Sequence, residues 1–508
     1  MKRLLFFLLL CCCSAYSSGD TAIVASVGKY RITAEDLLTS YEFGPSFVRR
    51  NHEPLREHLK YMIYERLFAL EAEANNLHTS AFVQERVKAL EEDGAVEQLY
   101  RNDILSRVTL TEDQIEQDVQ KAKITVSLRW LFRPTKIEAD ECWKILAHGA
   151  SFDSLFAMQL DSITTVSSRS IETTLLKLER DNETVAQSIS GLRVGECTPP
   201  IQGADGYYIV RLDQARQNPL LIESEYISLK KQAVEIRTRI IADKLADEYV
   251  KTLMTKHNPV IKAEGYNILR AYIASKGLSR DATVKWDIPT TFMTEAGPQP
   301  IQQSREYLNK TLVTFGNRSL TIRDYIRWYD IRQFQFNTSS LAAFNSSVKK
   351  TIWKMVQDKL LSEEAYQRGL DHVPSVIQET EKWRVKLLYL AQRSALLRTI
   401  TISDSILQVY YKRHEKQYRK GKTSLPLRQV KEIVLTDYYY EQESLVLLQT
   451  IKELKKKYIV SINEQVLRQL SDTIKPEPRA IEMIFYKPAG TFPRVAFTTI
   501  DEAWSRIQ

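Results

Sequence analysis

The sequence has few cysteines and no long apolar run beyond its first residues. Of five cysteines only Cys142 and Cys197 lie after residue 13, and neither has a neighbouring histidine or a CxxC partner. The seven histidines are scattered without the spacing of metal ligands, so we expect neither a metal site nor a redox motif. Because no later window approaches 18 uninterrupted apolar residues, the sequence argues against membrane-spanning helices.

A strong excess of charge of one sign is also missing. The 71 basic and 63 acidic residues are interspersed and give a formal net charge of +8. This balance does not call for a nucleic-acid partner, and we expect no cofactor. The 508 residues, of which 44 % are hydrophobic, are enough to form two to four domains with buried cores.

The N-terminal residues have the pattern of an export signal. Lys2 and Arg3 precede an apolar run from Leu4 to Leu10, and small residues follow around Ala15 and Gly19. This order is typical of a secretory signal peptide over residues 1–19. Its apolar core is too short for a permanent membrane helix, so the sequence predicts a mature protein that is soluble outside the cytoplasm.

The cysteines leave two questions open. Cys11 to Cys13 follow the apolar core, so the signal is either cleaved without lipidation or one of these three residues carries a lipid anchor. In an oxidising compartment Cys142 and Cys197 could form one disulfide. Cys142, however, shares the apolar face of a predicted helix with Ile145 and Leu146, which favours an ordinary thiol in the core.

Two stretches of the sequence, at 26–41 and 314–329, match each other. Each predicts a strand, a glycine-containing turn, a second strand and a helix, with Thr33 and Thr321 as the N-cap residues. Long amphipathic helices follow in both copies, and further matching segments begin near Val108 and Ile400. A linker rich in Pro, Gly and Gln, at 294–305, separates the two halves.

Two segments inside the first half have no counterpart in the second. They are GASF at Gly149 to Phe152 and VGECTPPIQGADGYYIVRL at Val194 to Leu212. Together they resemble the signature of parvulin, the small peptidyl-prolyl isomerase domain. The strand-turn-strand start with several helices resembles the N-terminal chaperone module of periplasmic foldases of the SurA, PrsA and PpiC type, which a parvulin domain interrupts.

The resemblance implies a multidomain α+β protein with two helical SurA-like chaperone modules. The first module would contain an inserted parvulin-like domain, made of an antiparallel sheet and helices. In the second half, Arg428 to Leu435 is predicted as the single strand of a parvulin remnant. The expected parts are a signal peptide (1–19), an N-terminal helical module (20–123), a parvulin-like domain (124–215), a returning helix and strand (216–293), a linker (294–305), a second helical module (306–420), and a degenerate parvulin remnant with the C-terminal segment (421–508).

The family's function would make this chain an ATP-independent periplasmic chaperone for unfolded secreted or outer-membrane proteins. The alternative is an active peptidyl-prolyl cis-trans isomerase. Parvulins use an apolar proline pocket beside a small polar cluster, commonly two His residues and a Cys or Asp. Here LRWL places Arg129 at the first His, GYYIV places Tyr208 at the second, and Ile163 falls near the Cys or Asp.

The pocket aromatic of the family is matched by Val185. With these replacements the resemblance implies no catalytic residue and little isomerase activity. What remains is a candidate peptide-binding cleft, in which we expect the ring of Tyr208 to lie beside the guanidinium of Arg129. The candidate cleft residues are Arg129, Leu131, Ile163, Val185 and Tyr208.

Overall fold

The computed structural model confirms the predicted α+β class, with many helices and several small antiparallel sheets. The predicted signal peptide, with Cys11 to Cys13, and the linker at 294–305 lie outside the described residues. Within the described part, no helix is long and apolar enough to cross a membrane. The structure describes residues 22–42, 53–161, 164–203, 205–218, 221–277, 306–337, 341–421 and 423–473, and residues 496 and 498.

Strands and helices are numbered in chain order. The strands are β1 (Ile23–Val27), β2 (Tyr30–Thr33), β3 (Ile124–Arg133), β4 (Ser170–Thr174), β5 (Ile201–Gln202), β6 (Tyr207–Gln217), β7 (Val260–Ile261), β8 (Thr311–Phe315), β9 (Arg318–Thr321), β10 (Arg419–Lys420), β11 (Thr423–Ser424) and β12 (Val460–Ile462). The helices are α1 (Ala34–Glu42), α2 (Pro54–Ala74), α3 (Ala81–Asp103), α4 (Glu112–Ala122), α5 (Lys136–Ala147), α6 (Phe152–Ala157), α7 (Leu175–Asp181), α8 (Glu183–Ile189), α9 (Glu223–His257), α10 (Ala263–Gly277), α11 (Ile322–Arg332), α12 (Leu341–Gln367), α13 (Pro374–Leu397), α14 (Asp404–His414), α15 (Leu427–Lys457) and α16 (Glu464–Thr473).

Both predicted N-caps are confirmed. At the start of α1, the hydroxyl of Thr33 accepts from the backbone N–H of Asp36 at 3.1 Å, and the Asp36 carboxylate accepts from the N–H of Thr33 at 3.3 Å. Thr321 and Asp324 make the same two bonds, at 3.3 and 2.8 Å, at the start of α11. Each reciprocal pair satisfies backbone donors that a helix start leaves without a partner.

The chain divides into two compact units, and each contains parts of both sequence halves. Unit 1 consists of Met1–Val96, Tyr329–Gln333 and Glu364–Gln508; unit 2 consists of Glu97–Trp328 and Phe334–Glu363. The matching sequence halves and the compact units therefore divide the chain differently.

Unit 1 joins the beginning of the chain to its second half. Its sheet has the order β12-β1-β2, and Ala25 of β1 lies opposite Ile462 of β12. Helix α2 packs against α13 and α15, and the buried side chains of Leu59, Phe68 and Leu388 belong to one apolar core. The apolar face that the sequence predicts on α2 is therefore covered by helices from the other half.

In unit 2, β7 pairs with β8 in a sheet of order β7-β8-β9, with Val260 opposite Thr314. Helix α9 corresponds to the long returning helix expected from the sequence, and it packs against α4 and α7. Ala233, Ile236 and Ile240 of α9 are buried at this contact. The returning helix thus stays with the half that precedes it, whereas the strand after it pairs with the next half.

The segment that resembles parvulin is a four-stranded antiparallel sheet of order β4-β3-β6-β5 in unit 2. Helices α5 and α6 cover one face, where Phe152 and Phe156 pack with Leu131 of β3. On the opposite face α7 and α8 supply Leu178 and Ile189 to a second core. Strand alternation allows β3 and β6 to contribute side chains to both cores.

The predicted strand from Arg428 to Leu435 is wrong, because this segment forms the beginning of α15. Val430 and Val434 are buried and four residues apart, whereas Ile433 is 56 % exposed. That spacing fits a helix covered on one side. The apolar run that suggested a strand is thus split between the buried and exposed sides of a helix.

Candidate functional site

The register between β3 and β6 determines which residues share a face of the parvulin-like sheet. Arg129 lies opposite Arg211, and Phe132 lies opposite Tyr208. Opposed residues point to the same face and successive residues to opposite faces. Trp130 and Phe132 therefore lie on the face of Tyr208, and Arg129 lies on the other.

The structure brings together only part of the predicted cleft. Val185 of α8 and Tyr208 belong to the same apolar cluster. Leu131 is buried in the opposite core, on the face of Arg129, and Ile163 lies outside the described residues. The expectation that Tyr208 lies beside Arg129 is wrong, because the two side chains point to opposite faces. A peptide-binding role of these residues stays a prediction.

Arg129 belongs to a charge network on its own face. Its Nε lies 2.5 Å from Asp213, and its Nη2 lies 2.9 Å from Asp153. Arg211 contacts the same two carboxylates, at 2.6 and 2.9 Å, and lies 4.3 Å from the ring centre of Phe152. Burial disfavours the charged form of Arg129, but the bonds to Asp213 and Asp153 outweigh it and raise its pKa.

On the opposite face, the hydroxyl and the ring of Tyr208 are both held by neighbouring residues. Its hydroxyl donates to Asp205 at 2.6 Å, and its ring centre lies 5.3 Å from that of Phe132. A Cβ at Gly203 would lie 2.5 Å from the Tyr208 ring, so the ring packs directly on the glycine backbone. Burial, together with Asp205, raises the pKa of Tyr208 to about 12, which keeps the phenol neutral at physiological pH.

The aromatic face continues along β3 with Trp130, which packs against the cluster of Val185 and is half-buried. The guanidinium of Arg169 lies 5.1 Å from the ring centre of Phe132 at the other end. Trp130 was missed in the sequence because LRWL was matched to the family motif RHIL. In the structure Trp130, and not Arg129, lies on the face of Tyr208.

Unit 1 contains a separate cavity of about 570 Å³ between α3 and α13. Lys88 and Arg384 line it together with Asp371, whose Oδ1 is buried and has no hydrogen-bond partner. Tyr366 donates to Glu91 at 2.8 Å in the same wall, and burial with this carboxylate raises the pKa of Tyr366. The lining combines these charged groups with the apolar side chains of Val83 and Val87.

Within the described residues, no group of three or more His, Cys, Asp or Glu side chains could hold a metal ion. None of the four described strands of the parvulin-like sheet contains a histidine. The arrangement on the Tyr208 face offers aromatic surfaces and one flanking cation. Such a surface can bind by stacking and apolar contact.

Comparison with protein-family models finds no match, and comparison with curated proteins finds none. Among solved structures, the chain is similar to the peptidylprolyl isomerase PrsA from Bacillus anthracis, with 18 % identity over 38 % of this chain and 96 % of that one, at a TM-score of 0.22. The foldase protein PrsA from Streptococcus pneumoniae has 16 % identity over 45 % and 94 %, at 0.22. PrsA from Bacillus subtilis has 14 % identity over 45 % and 93 %, at 0.17. At such values the function has to be argued from the site.

Proposed function

We propose that this chain is an extracytoplasmic foldase that holds unfolded polypeptides without ATP and has little or no prolyl isomerase activity. One observation carries the proposal. The sheet face that corresponds to the parvulin cleft presents Trp130, Phe132 and Tyr208, where the family would place a polar cluster. An active isomerase is the alternative.

The chemistry of isomerisation explains why the replacement matters. Rotation about the X–Pro bond has a barrier of about 18–20 kcal/mol, and a catalyst must bind the twisted imide better than either planar form. The Tyr208 hydroxyl already donates a hydrogen bond to Asp205. Trp130 offers only an indole N–H and an apolar surface. These groups can hold a peptide, but they do not form a cluster of polar side chains that could stabilise the twisted imide.

Clients of this face would be extended, apolar polypeptide segments. The aromatic rings provide large rigid surfaces, and Arg169 beside Phe132 provides a cation at the edge. Export by residues 1–19 would bring the chain to the periplasm or another extracytoplasmic space. Secreted and outer-membrane proteins are the clients that we propose there, and a lipid anchor at Cys11 to Cys13 remains one alternative for the mature N-terminus.

The mature chain, residues 20–508, is expected to suppress aggregation of a chemically denatured client enzyme at near-stoichiometric ratios. The same preparation should barely accelerate isomerisation in a protease-coupled assay with a proline-containing peptide, because the polar cluster of the family is missing. A catalytically active parvulin measured in parallel provides the control. Robust catalysis by this chain would favour the isomerase alternative over the proposal.

Substitutions on the two faces of the sheet test which face binds peptide. Trp130→Ala in the full mature chain is expected to weaken binding of an apolar proline-containing peptide roughly tenfold, because one aromatic contact is lost. Tyr208→Phe keeps the ring and should bind almost as tightly as the parent. Arg129→Ala should leave the affinity unchanged, because its guanidinium lies on the other face. Affinity is measured by fluorescence anisotropy, with circular dichroism as the check of folding.

The alternative reading of this face is that the rings fill the old cleft and bind nothing. Unchanged affinity in Trp130→Ala and in a matching Tyr208→Ala variant, with the fold intact, would support that reading. A loss in Arg129→Ala equal to that in Trp130→Ala would also contradict the assignment, because both faces would then contribute.

A further inference from the structure

The two cysteines beyond residue 13 lie on the same face of the parvulin-like sheet and pack in one apolar core. Cys142 of α5 is buried, as the sequence predicts, in the core that contains Leu131 and Ile209. Cys197 is half-buried, packs against the same core and lies opposite Arg211 in an isolated bridge. Since Arg211 points to the α5 face, the Cys197 side chain points there too.

We propose that Cys142 and Cys197 form a reversible disulfide within the folded protein, which links α5 to the segment ahead of β5. Both residues are free thiols in this structure. The proposal is independent of the foldase function, because it rests on the opposite face of the sheet from Trp130 and Tyr208. It assigns to this domain a redox modification site.

The two thiols differ in access, which fixes the order of the reaction. Cys142 is only 4 % exposed, whereas Cys197 is partly open to solvent. Cys197 therefore meets an external oxidant first, and Cys142 acts second, from inside the core. A low-molecular-weight disulfide, for which oxidised glutathione is the probe, is the oxidant class that we propose.

The exchange balances in two steps. The Cys197 thiolate attacks one sulfur of the glutathione disulfide, which forms a mixed disulfide and releases one glutathione thiolate. The Cys142 thiol then loses its proton and attacks the Cys197 sulfur, which forms the internal disulfide and releases the second glutathione. The two protein thiols are oxidised, one glutathione disulfide is reduced to two thiols, and the two protons end on the departing thiolates or in solvent.

The surroundings of Cys197 make the first step slow at neutral pH. Burial raises the pKa of the Cys197 thiol to about 11, and Asp213 and the Cys142 thiol add to the effect. Only the thiolate attacks, so below this pKa the reactive fraction increases about tenfold for each unit of pH.

The test uses the mature chain, residues 20–508, with its two cysteines and oxidised glutathione. We expect both thiols to disappear together, a peptide pair cross-linked through Cys142 and Cys197 in mass spectrometry, and a rate that rises about tenfold per pH unit between pH 7 and 9. Reduced glutathione in excess should reverse the reaction.

Single variants separate an internal disulfide from simple surface oxidation. Cys142→Ser should accumulate one stable glutathione adduct at Cys197, whereas Cys197→Ser should leave the buried Cys142 unmodified while the protein is folded. Stable adducts at both cysteines of the parent protein, without a cross-link, would overturn the proposal. A cross-link that forms only in denaturant would overturn it as well.

Discussion

Replacement of Glu65 by alanine is expected to lower the free energy of unfolding of unit 1 by about 3–5 kcal/mol. The carboxylate of Glu65 on α2 lies 2.5 Å from the ammonium nitrogen of Lys386 on α13. The two side chains are only 2 % and 10 % exposed. Truncation of Glu65 leaves the ammonium group of Lys386 in the core without the carboxylate that compensates its charge. The cost of burying this charge accounts for most of the loss in stability.

The pH dependence of this variant follows from Lys386. Burial lowers the pKa of Lys386, and Glu65 offsets part of that effect, so Glu65→Ala should lower the pKa further. A folded-state pKa below the unfolded value of about 10.4 means that the unfolded chain binds more protons between the two values. The stability of the variant should therefore recover as the pH rises through this window towards 10.

Two matched controls make this prediction specific. Glu381→Ala removes the carboxylate of an exposed pair with Arg384, whose atoms lie 3.1 Å apart, and should cost less than about 1 kcal/mol. The double variant Glu65→Leu with Lys386→Met should regain most of the loss, because it removes both charges and keeps the volume. Hydrogen exchange of α2 and α13 amides reports on unit 1 alone. Equal effects of Glu65→Ala and Glu381→Ala would contradict the prediction.

The ion pair of Glu65 and Lys386 also shows which features of the fold the sequence predicts and which it does not. The apolar periodicity of α2 predicted a helix with one covered side. The structure has the helix and buries that side, but it also buries the rest of its middle, since every residue of 61–65 and 67–70 lies in the core. Periodicity does not say which helix covers that side. The contact between α2 and α13 joins positions 321 residues apart, and no local pattern encodes such a partner.

The sequence also does not predict which hairpin β7 and β12 each pair with. The segments around β7 and β12 resemble each other in sequence, and so do the two strand-turn-strand starts. Either short strand would therefore fit beside either hairpin, and local hydrogen bonding cannot distinguish the two pairings. The observed choice, β12 with β1 and β7 with β8, has to come from the packing of the attached helices.

The sequence predicted the two strands of the candidate site, but it misplaced one of them, β3, by one residue. Strand alternation puts Tyr208 and Arg211 of β6, three residues apart, on opposite faces, and the pairing with β3 agrees. The sequence match put Arg129 of β3 on the side of Tyr208, whereas Trp130 and Phe132 share that face in the structure, because a shift of one residue along a strand moves a side chain to the other face. The pairing of Arg129 with Arg211 settles the register, and it is a contact between distant segments.

Gly265→Ala is expected to destabilise unit 2 by about 3 kcal/mol through overpacking, although alanine favours a helix by about 1 kcal/mol over glycine. Gly265 lies in the first turn of α10, where a Cβ would come within 2.3 Å of the Thr311 carbonyl oxygen and 3.0 Å of the Leu312 Cα. These atoms belong to the backbone of β8. They cannot move without disturbing the bond from the Lys262 N–H to the Leu312 carbonyl, now 2.9 Å long.

Gly191→Ala is the control in the same unit, because a Cβ there meets no atom within 4 Å, and its effect should stay within about 0.5 kcal/mol. Hydrogen exchange of the β8 amides measures both variants. The sign of the change in the free energy of unfolding distinguishes the two effects. Helix propensity alone predicts that Gly265→Ala is stabilised, whereas the close contact with β8 predicts that it is destabilised. A stabilised Gly265→Ala protein would mean that α10 does not rest on β8, and the pairing of β7 with β8 would lose its main support.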